Sequence, residues 1–426
     1  MKKELLKSVI YQVFVRNETK EGTFKALENK LEQIKEKGCD ILYLMPISPI
    51  GEKGRKGSLG SPYSIKDYKA INPEYGNLDD LKSLIDKTHK LGMKIILDVV
   101  FNHTSRDSFL IDEHEEFYYH DENGNLGNRV GDWSDVYDLN LEKEETQNYL
   151  VSILKLYKSW GFDGFRFDVA SFLPSSFYQK VKDSLDSNTI MLAEAVDGNF
   201  LLAARTTSRE VLSNEELFEG GFDAVYHYAN WHFFSEFLNN PSLENLSIYK
   251  GTLEMEQASI RQDGLVLRAI ENHDRPRICS YKGNENFHKS LLAYSFFTRG
   301  PVFIYSGEES KETHTPSLFD KDVVTFENYD KDYFDFYMKN IKLKKRDINK
   351  NLIQTIFSQD KEYGIKAINY YSNGYKELGL FPMKSDDVAF INIDLKDGTY
   401  QNLLGGTINI KNKTITTDKA VIIELK

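Results

Sequence analysis

KIILDVVFNH, residues 94–103, is an apolar run that ends in polar side chains. The segment before this run has apolar residues on one helical face, and the predicted helix ends at Gly92. A second apolar run, ILYLM at residues 41–45, lies before that helix. Continuous apolar strands separated by amphipathic helices are typical of a parallel sheet covered on both faces. The first hundred residues therefore predict an α/β fold.

The same alternation continues along the chain. Further strand-like runs, with helical patterns between most of them, are VIYQVFV (9–15), GFRFDV (164–169), TIMLAEA (189–195), AVYHY (224–228), LVLRAIEN (265–272) and PVFIYS (301–306). Together with the two runs above they make eight strands. Eight such units predict a (β/α)8 barrel, the TIM barrel, rather than an open sheet.

Two segments depart from this pattern. Residues 102–141 are rich in Gly, Asp and Asn and show neither the apolar pattern of a strand nor that of a helix. This composition predicts a short excursion after the third strand. Residues 351–426 contain short β-rich runs with turn signals between them, which predicts an antiparallel C-terminal β domain. We expect residues 1–350 to form the catalytic barrel, including the excursion, and residues 351–426 to form the β domain.

Composition excludes several classes of function. The 426 residues carry 65 acidic and 54 basic side chains, a net charge of −11, which argues against a nucleic-acid groove. Cys39 and Cys279 fit neither a disulfide framework nor a zinc site. No apolar run reaches the ~18 residues that span a bilayer, and the N-terminal segment does not fit a secretory signal. We expect a cytoplasmic protein without nucleic-acid or membrane partners.

Polar residues at the ends of the predicted strands indicate the chemistry, because barrel enzymes react at that rim. Carboxylates close three of these strands, at Asp168, Glu194 and Asp274. A pair of carboxylates suits glycoside cleavage, in which one is the nucleophile and the other delivers a proton. Arg166, two residues before Asp168 on the same strand face, can keep that carboxylate ionised. The apolar flanks of Glu194 favour a protonated acid.

Four segments in this order resemble the sequence regions of the α-amylase superfamily of retaining glycoside hydrolases. They are DVVFNH (98–103), GFRFDVA (164–170), the segment around Glu194, and ENHD (271–274). Two flanking stretches, SPYSIKDYKAINPEYG (61–76) and GPVFIYSGEE (300–309), extend the similarity over nearly all of the first 350 residues. The β-rich tail is similar to the C-terminal domain of the same superfamily.

The resemblance implies a role for each matching residue. It makes Asp168 the nucleophile, Glu194 the acid/base and Asp274 the third carboxylate, which holds sugar hydroxyls. Arg166 would support the nucleophile. The resemblance also implies substrate contacts for three further residues, namely stacking by Tyr63 and hydrogen bonds from His103 and His273.

Asn102 and Asp138 correspond to positions where many members of the superfamily hold a structural calcium ion through oxygen ligands. Other members do without the ion, and an asparagine at a strand end can instead cap a turn. The chemistry itself would need no cofactor. Ser61 stands where many members have a histidine, and Val169 follows the nucleophile as in α-glucosidases and oligo-1,6-glucosidases. These two differences concern specificity.

We expect a retaining hydrolase that cleaves α-glucosidic bonds in starch- or glycogen-derived chains and in malto-oligosaccharides. The bonds expected first are α-1,4 bonds. An exo-acting α-glucosidase or oligo-1,6-glucosidase and a glucanotransferase are alternatives within the family. A non-catalytic carbohydrate-binding barrel and a metal-dependent hydrolase are remote alternatives. Trp133 in the excursion is either a sugar platform or part of a local core with Phe117, Tyr118 and Tyr119.

Overall fold

The computed structural model describes residues 2–129, 133–196, 198–207 and 209–425. Val130, Gly131 and Asp132 of the predicted excursion lie outside the described residues. Contacts divide the chain into two compact units. Residues 10–226 and 316–325 form the N-terminal unit. Residues up to 9, 227–315 and 326–426 form the C-terminal unit.

The barrel strands are parallel and follow the predicted order. Their bounds are β1 Val9–Val13, β2 Ile41–Leu44, β3 Lys94–Val99, β4 Gly164–Phe167, β5 Ile190–Ala193, β6 Ala224–Tyr226, β7 Leu265–Leu267 and β8 Val302–Tyr305. They form one sheet in the order β8-β1-β2-β3-β4-β5-β6-β7, and a parallel bridge joins Arg268 to Val302. The predicted eight-stranded TIM barrel is confirmed.

Nearly every strand residue is buried, which explains the apolar runs in the sequence. Gly164 at the start of β4 pairs with Ile190 of β5. A Cβ atom at Gly164 would lie 2.3 Å from the Ile190 carbonyl oxygen, so only glycine fits there. This register also aligns Phe167 with Ala193, directly before Asp168 and Glu194.

The helices follow the strands as the sequence predicts. Their bounds are α1 Lys2–Leu5, α2 Val15–Glu18, α3 Phe24–Glu36, α4 Leu78–Lys90, α5 Phe109–His114, α6 Glu144–Trp160, α7 Ser175–Ser184, α8 Gly198–Arg205, α9 Asn214–Glu219, α10 Trp231–Asn239, α11 Leu243–Ser259, α12 Glu285–Phe297 and α13 Lys331–Lys344. Short 3-10 turns cover Glu115–Phe117, Ala170–Phe172, His227–Asn230, Ile278–Ser280, Glu308–Ser310 and Asp347–Asn351. The α4 start is a capping box of Asn77 and Asp80. Among the described residues, no helix combines the length and apolar character needed to span a bilayer.

A short hairpin joins the two ends of the excursion. The strands His103–Ser105 and Val136–Asp138 pair antiparallel, with His103 opposite Asp138. This pairing returns the chain to the end of β3, where the excursion began. Asn102 and Asp138, which are 36 positions apart, therefore become neighbours.

The C-terminal strands form an antiparallel β domain, as predicted. Their bounds are β9 Leu352–Phe357, β10 Gly364–Tyr371, β11 Lys376–Pro382, β12 Val388–Phe390, β13 Gly398–Gln401, β14 Thr407–Ile410, β15 Ile415–Thr417 and β16 Val421–Leu425. One sheet has the order β9-β10-β11-β16, and β12–β15 and β13–β14 are separate pairs. Leu380, Phe390 and Ile423 belong to its apolar core. The boundary placed at residue 350 stays a prediction.

Candidate active site

Arg166 on β4 contacts three carboxylates from neighbouring strands of the N-terminal unit. Its Nη1 donates to Oδ1 of Asp98 at 2.8 Å and to Oδ1 of Asp168 at 3.0 Å. Its Nη2 lies 2.9 Å from Oε1 of Glu194. Burial alone would lower the pKa of Arg166, but the charges of Asp98 and Glu194 raise it well above its ordinary value. One permanent cation therefore holds three acidic side chains together.

Asp98 is a member of this cluster that the sequence analysis did not assign to the site. Its Oδ2 accepts hydrogen bonds from the hydroxyls of Tyr43 at 2.6 Å and Tyr63 at 2.9 Å. Burial raises the pKa of Tyr43 well above its ordinary value, so this phenol remains a donor. With Arg166 as its third partner, Asp98 serves as a fixed anchor for the guanidinium. A charged residue within the apolar run KIILDVV was the available signal.

Glu194 lies in more polar surroundings than its sequence neighbours predict. Leu192 and Ala195 are buried, but the carboxyl group faces Arg166 and also accepts from the backbone N–H of Val169 at 2.7 Å. The prediction that apolar groups surround this carboxyl is therefore wrong. Strand direction explains the error, because alternate residues point to opposite faces and the carboxyl points to the barrel rim.

Val169 has a strained backbone directly after Asp168. Its φ of 37° and ψ of 47° are left-handed, which is rare for a β-branched residue. This conformation accompanies the hydrogen bond from the Val169 N–H to Glu194. Strain of this kind persists only where surrounding contacts fix it, and it concentrates at functional sites.

Tyr63 lies close to this cluster, and His103 follows Asn102 at the start of the excursion. The Tyr63 ring is half-buried and its centroid lies 6.0 Å from the Arg166 Cζ. His103 is buried, and burial lowers its pKa to about 4, so its ring is neutral at physiological pH. Its Nδ1 lies 3.1 Å from the amide nitrogen of Asn102.

The half-buried Trp133 packs beside His103 and also against an apolar cluster that includes Val169 and Phe172. The ring centroids of Trp133 and His103 are 5.2 Å apart. Trp133 also makes an edge-on contact with Phe200, whose ring centroid is 5.9 Å away. Phe117 instead stacks on His114. Trp133 is therefore next to a predicted substrate-binding residue.

Asn102 and Asp138, the predicted calcium ligands, are in contact with each other and with two arginines. The Asn102 amide nitrogen donates to Asp138 Oδ1 at 3.3 Å. Arg209 donates to Asn102 Oδ1 and Arg129 donates to Asp138 Oδ2. Among the described residues, no cluster of three or more His, Cys, Asp or Glu side chains is arranged to hold a metal ion.

His273 and Asp274 belong to the C-terminal unit. His273 Nε2 lies 3.0 Å from Asp274 Oδ2, and the Asp274 side chain is 39% exposed. The Asp274 backbone N–H donates to Asn272 Oδ1 at 2.9 Å, which shapes the turn after β7. These two predicted site residues therefore contact each other, and the carboxylate is accessible.

Comparisons with known proteins agree with this architecture. The family model "Alpha amylase, catalytic domain" matches residues 11–363, and "Bacterial Alpha amylase C-terminal domain" matches residues 358–423. The crystal structure of an alpha-amylase from Lactobacillus plantarum is similar over 100% of both chains, with 36% identity and a TM-score of 0.91. Probable oligo-1,6-glucosidase 3 of Bacillus subtilis (strain 168) is 26% identical over 389 residues, which are 74% of this chain and 68% of that protein.

Alpha-amylase 3 of Dictyoglomus thermophilum is 28% identical over 340 residues, which are 71% of this chain and 64% of that protein. The catalytic-domain match covers most of the chain, and the Lactobacillus structure shares its whole length. The chain thus belongs to the α-amylase family of glycoside hydrolases, enzymes that act on α-glucans.

Proposed function

We propose that this enzyme hydrolyses α-1,4-glucosidic bonds in starch- or glycogen-derived chains and malto-oligosaccharides, with retention of anomeric configuration. The observation that supports this most directly is the Arg166 guanidinium, which contacts Asp168 with one nitrogen and Glu194 with the other. Two carboxylates on one cation at the ends of adjacent strands suit the two roles that a retaining glycosidase needs.

In the first step Asp168 attacks the anomeric carbon and forms a covalent glycosyl ester. Glu194 gives its proton to the glycosidic oxygen, and the leaving sugar departs with that proton. In the second step Glu194, now a carboxylate, removes a proton from water as the water oxygen attacks the same carbon. Asp168 is released, and the configuration at that carbon is retained.

The remaining predicted residues act on binding and orientation. The positive charge of Arg166 favours the ionised form of the nucleophile. Asp274 would hold ring hydroxyls of the sugar, and His103 and His273 would each form hydrogen bonds with sugar hydroxyls. Tyr63 would provide the stacking face. The two carboxylates supply the nucleophile and the acid, so the proposed chemistry needs no cofactor.

Glu194 must change partners during this cycle. Its two oxygens contact Arg166 and the Val169 N–H in this structure. A proton donor has to present its O–H to the glycosidic oxygen, within hydrogen-bond distance. The Glu194 carboxyl group would therefore turn away from Arg166 and toward the leaving group when the substrate binds.

A second candidate function is exo cleavage of α-1,6 bonds. Val169 after the nucleophile favours it, and so does the similarity to the Bacillus subtilis relative named above as a probable oligo-1,6-glucosidase. The 36% identity to an alpha-amylase favours α-1,4 cleavage. A glucanotransferase would share the covalent intermediate and differ only in the acceptor.

A product time course distinguishes these functions. The purified chain is incubated with malto-oligosaccharides and, separately, with an α-1,6-linked isomalto-oligosaccharide. We expect cleavage of the former and an α-anomer as the first product seen by NMR. A β-anomer would contradict the retaining mechanism, preferred α-1,6 cleavage would favour the second function, and longer products would indicate transfer. Asp168→Asn should be inactive, whereas Asp186→Asn, an exposed aspartate before β5, is the matched control.

A further inference from the structure

The root of the excursion is a fully buried polar cluster. Asn102 follows β3, and Asp138 closes the hairpin strand that returns to it. Both side chains are 0% exposed. Buried carboxylate and amide groups need partners, because an unpaired buried charge is costly. What neutralises Asp138 therefore determines what holds the excursion to the barrel.

The oxygens of these two residues face guanidinium groups. Arg209 Nη2 donates to Asn102 Oδ1 at 2.6 Å. Asp138 Oδ2 accepts from the Arg129 backbone N–H at 3.0 Å and from Arg129 Nε at 3.3 Å, and Arg209 Nη1 lies 3.8 Å away. Asp138 Oδ1 accepts from the Asn102 amide nitrogen at 3.3 Å.

This set of donors does not fit a calcium ion. Calcium takes six to eight oxygen ligands at roughly 2.3–2.6 Å. Here the Asn102 oxygen and the second Asp138 oxygen bind N–H groups, and two cationic side chains lie where a metal ion would be repelled. The predicted ligands are adjacent, as a calcium site would require. However, Asn102 Oδ1 and Asp138 Oδ2 already accept hydrogen bonds from arginine side chains.

We infer that Arg209 and Arg129 replace a metal ion at the root of the excursion, so guanidinium groups hold the excursion to the barrel and calcium is not needed. Arg209 also donates to the Phe172 carbonyl at 2.7 Å and stacks over the Phe172 ring at 4.7 Å. One side chain thereby ties together the end of β3, the turn after β4 and the segment after α8. A guanidinium can do this because its five donors are fixed in a planar fork.

Arg209 also acts on His103 through Asn102. Because Arg209 can only donate, the oxygen of the Asn102 amide must face it, and the amide nitrogen must face His103 Nδ1 and Asp138. His103 Nδ1 is then an acceptor, and the ring proton is on Nε2. Arg209 is therefore a positioning residue that fixes both the amide orientation of Asn102 and the tautomer of His103.

The first test measures metal dependence of the full-length wild-type chain. Protein treated with EDTA and dialysed is titrated with CaCl2 by calorimetry, and its melting temperature is measured with EDTA and with Ca²⁺. We expect no saturable calcium binding and the same melting temperature in both solutions. One bound calcium per chain, whose removal lowers the melting temperature and whose return restores it, would overturn the inference. These readouts do not depend on glycosidase activity, so they separate this inference from the proposed function.

The second test uses Arg209→Ala and Arg209→Lys, with the exposed Arg205→Ala on the same segment as the matched control. Both Arg209 variants should melt several degrees lower with and without Ca²⁺, and Arg205→Ala should match wild type. In ¹⁵N NMR of histidine-labelled protein, assigned with His103→Gln, wild-type His103 should carry its proton on Nε2. The Arg209→Ala ring should show a tautomer mixture. An Arg209→Ala protein with wild-type melting and an unchanged His103 spectrum would contradict the inference.

Discussion

The backbone N–H of Val169 donates a hydrogen bond of 2.7 Å to Oε2 of Glu194. The residue after the proposed nucleophile therefore orients the proposed acid. Val169 makes this contact from a left-handed backbone with φ of 37°. The geometry of the two carboxyl groups is thus connected through the main chain as well as through Arg166.

Replacing Val169 tests the strain. Val169→Gly and Val169→Ala both remove a buried side chain from the cluster with Phe172 and Val196. Only glycine adopts the left-handed region freely, so the glycine variant should have a free energy of unfolding higher than the alanine variant by about 1 kcal/mol. Denaturant unfolding measures the difference. An alanine variant as stable as the glycine variant would show that the left-handed conformation stores no strain.

Arg166→Lys tests the shared cation. A lysine has one nitrogen and cannot contact Asp98, Asp168 and Glu194 in the geometry of the guanidinium. We expect kcat to fall by about 10²-fold or more, because small displacements of reacting groups have effects of this size. Steady-state kinetics on a malto-oligosaccharide measure it, and the exposed Arg205→Lys is the control. If kcat stays within twofold of wild type in folded Arg166→Lys, the positioning role is wrong.

Glu194→Gln tests the proton donor. Turnover of natural oligosaccharides should fall by roughly 10²–10⁴-fold, the contribution of a positioned proton transfer. The glycosylation step of a substrate with an activated leaving group should be nearly unaffected, because that group needs no proton. Pre-steady-state kinetics separate the two steps, with the exposed Glu219→Gln as the control. If the rate of the glycosylation step falls equally with both kinds of leaving group, Glu194 is not the general acid.

Trp133→Ala tests Trp133 as a sugar platform. Trp133 packs on His103, so a chain that extends past His103 should contact it. KM should rise more for longer oligosaccharides than for maltose. Phe117→Ala, which removes a buried ring stacked on His114, should lower the melting temperature without a chain-length effect. The same KM change at every chain length would assign Trp133 to packing alone.

Lys344 predicts a pH dependence of stability. It is buried and donates to the carbonyls of Phe296 and Thr298. Burial lowers its pKa from 10.5 to about 7. Between these values the unfolded chain binds more protons than the folded chain, so the free energy of unfolding should rise with pH from 7 to 10. The slope contributed by this group is at most about 1.4 kcal/mol per pH unit.

Lys344→Met should remove this contribution. Urea unfolding of wild type and variant at several pH values measures the difference in slope. Lys342→Met, an exposed lysine on the same helix, should keep the wild-type slope. Parallel curves for wild type and Lys344→Met would mean that Lys344 titrates at its ordinary pKa in the folded protein.

The sequence predicted the fold because its signals are local. Apolar runs, the Asn77 cap and the stop at Gly92 each act within one element, and together they define the barrel. The contacts among site residues are less local. Asp98 and Tyr43 are 55 positions apart, and their hydrogen bond follows from strand order in the barrel, which the sequence gives only as an expectation.

The arginine cluster could not be predicted for the same reason. Arg209 lies 107 positions from Asn102, in a segment whose path no periodic pattern describes. Glu194 shows a related error. Its neighbours in sequence are apolar, but its neighbours in space come from β4, and the carboxyl faces those instead. Side-chain surroundings at a strand end depend on the adjacent strand, and this information is absent from a local window.

Gly164 influences the site from the other end of the strand that carries Asp168. It lies four residues before Asp168 at the opposite end of β4, or about 13 Å along an extended strand. A single methyl group at Gly164 would meet the Ile190 carbonyl and force β4 and β5 apart. The same two strands carry Asp168 and Glu194 directly after Phe167 and Ala193, which are paired. The register that places these two carboxyl groups side by side therefore depends on the absence of a side chain at the other end of β4.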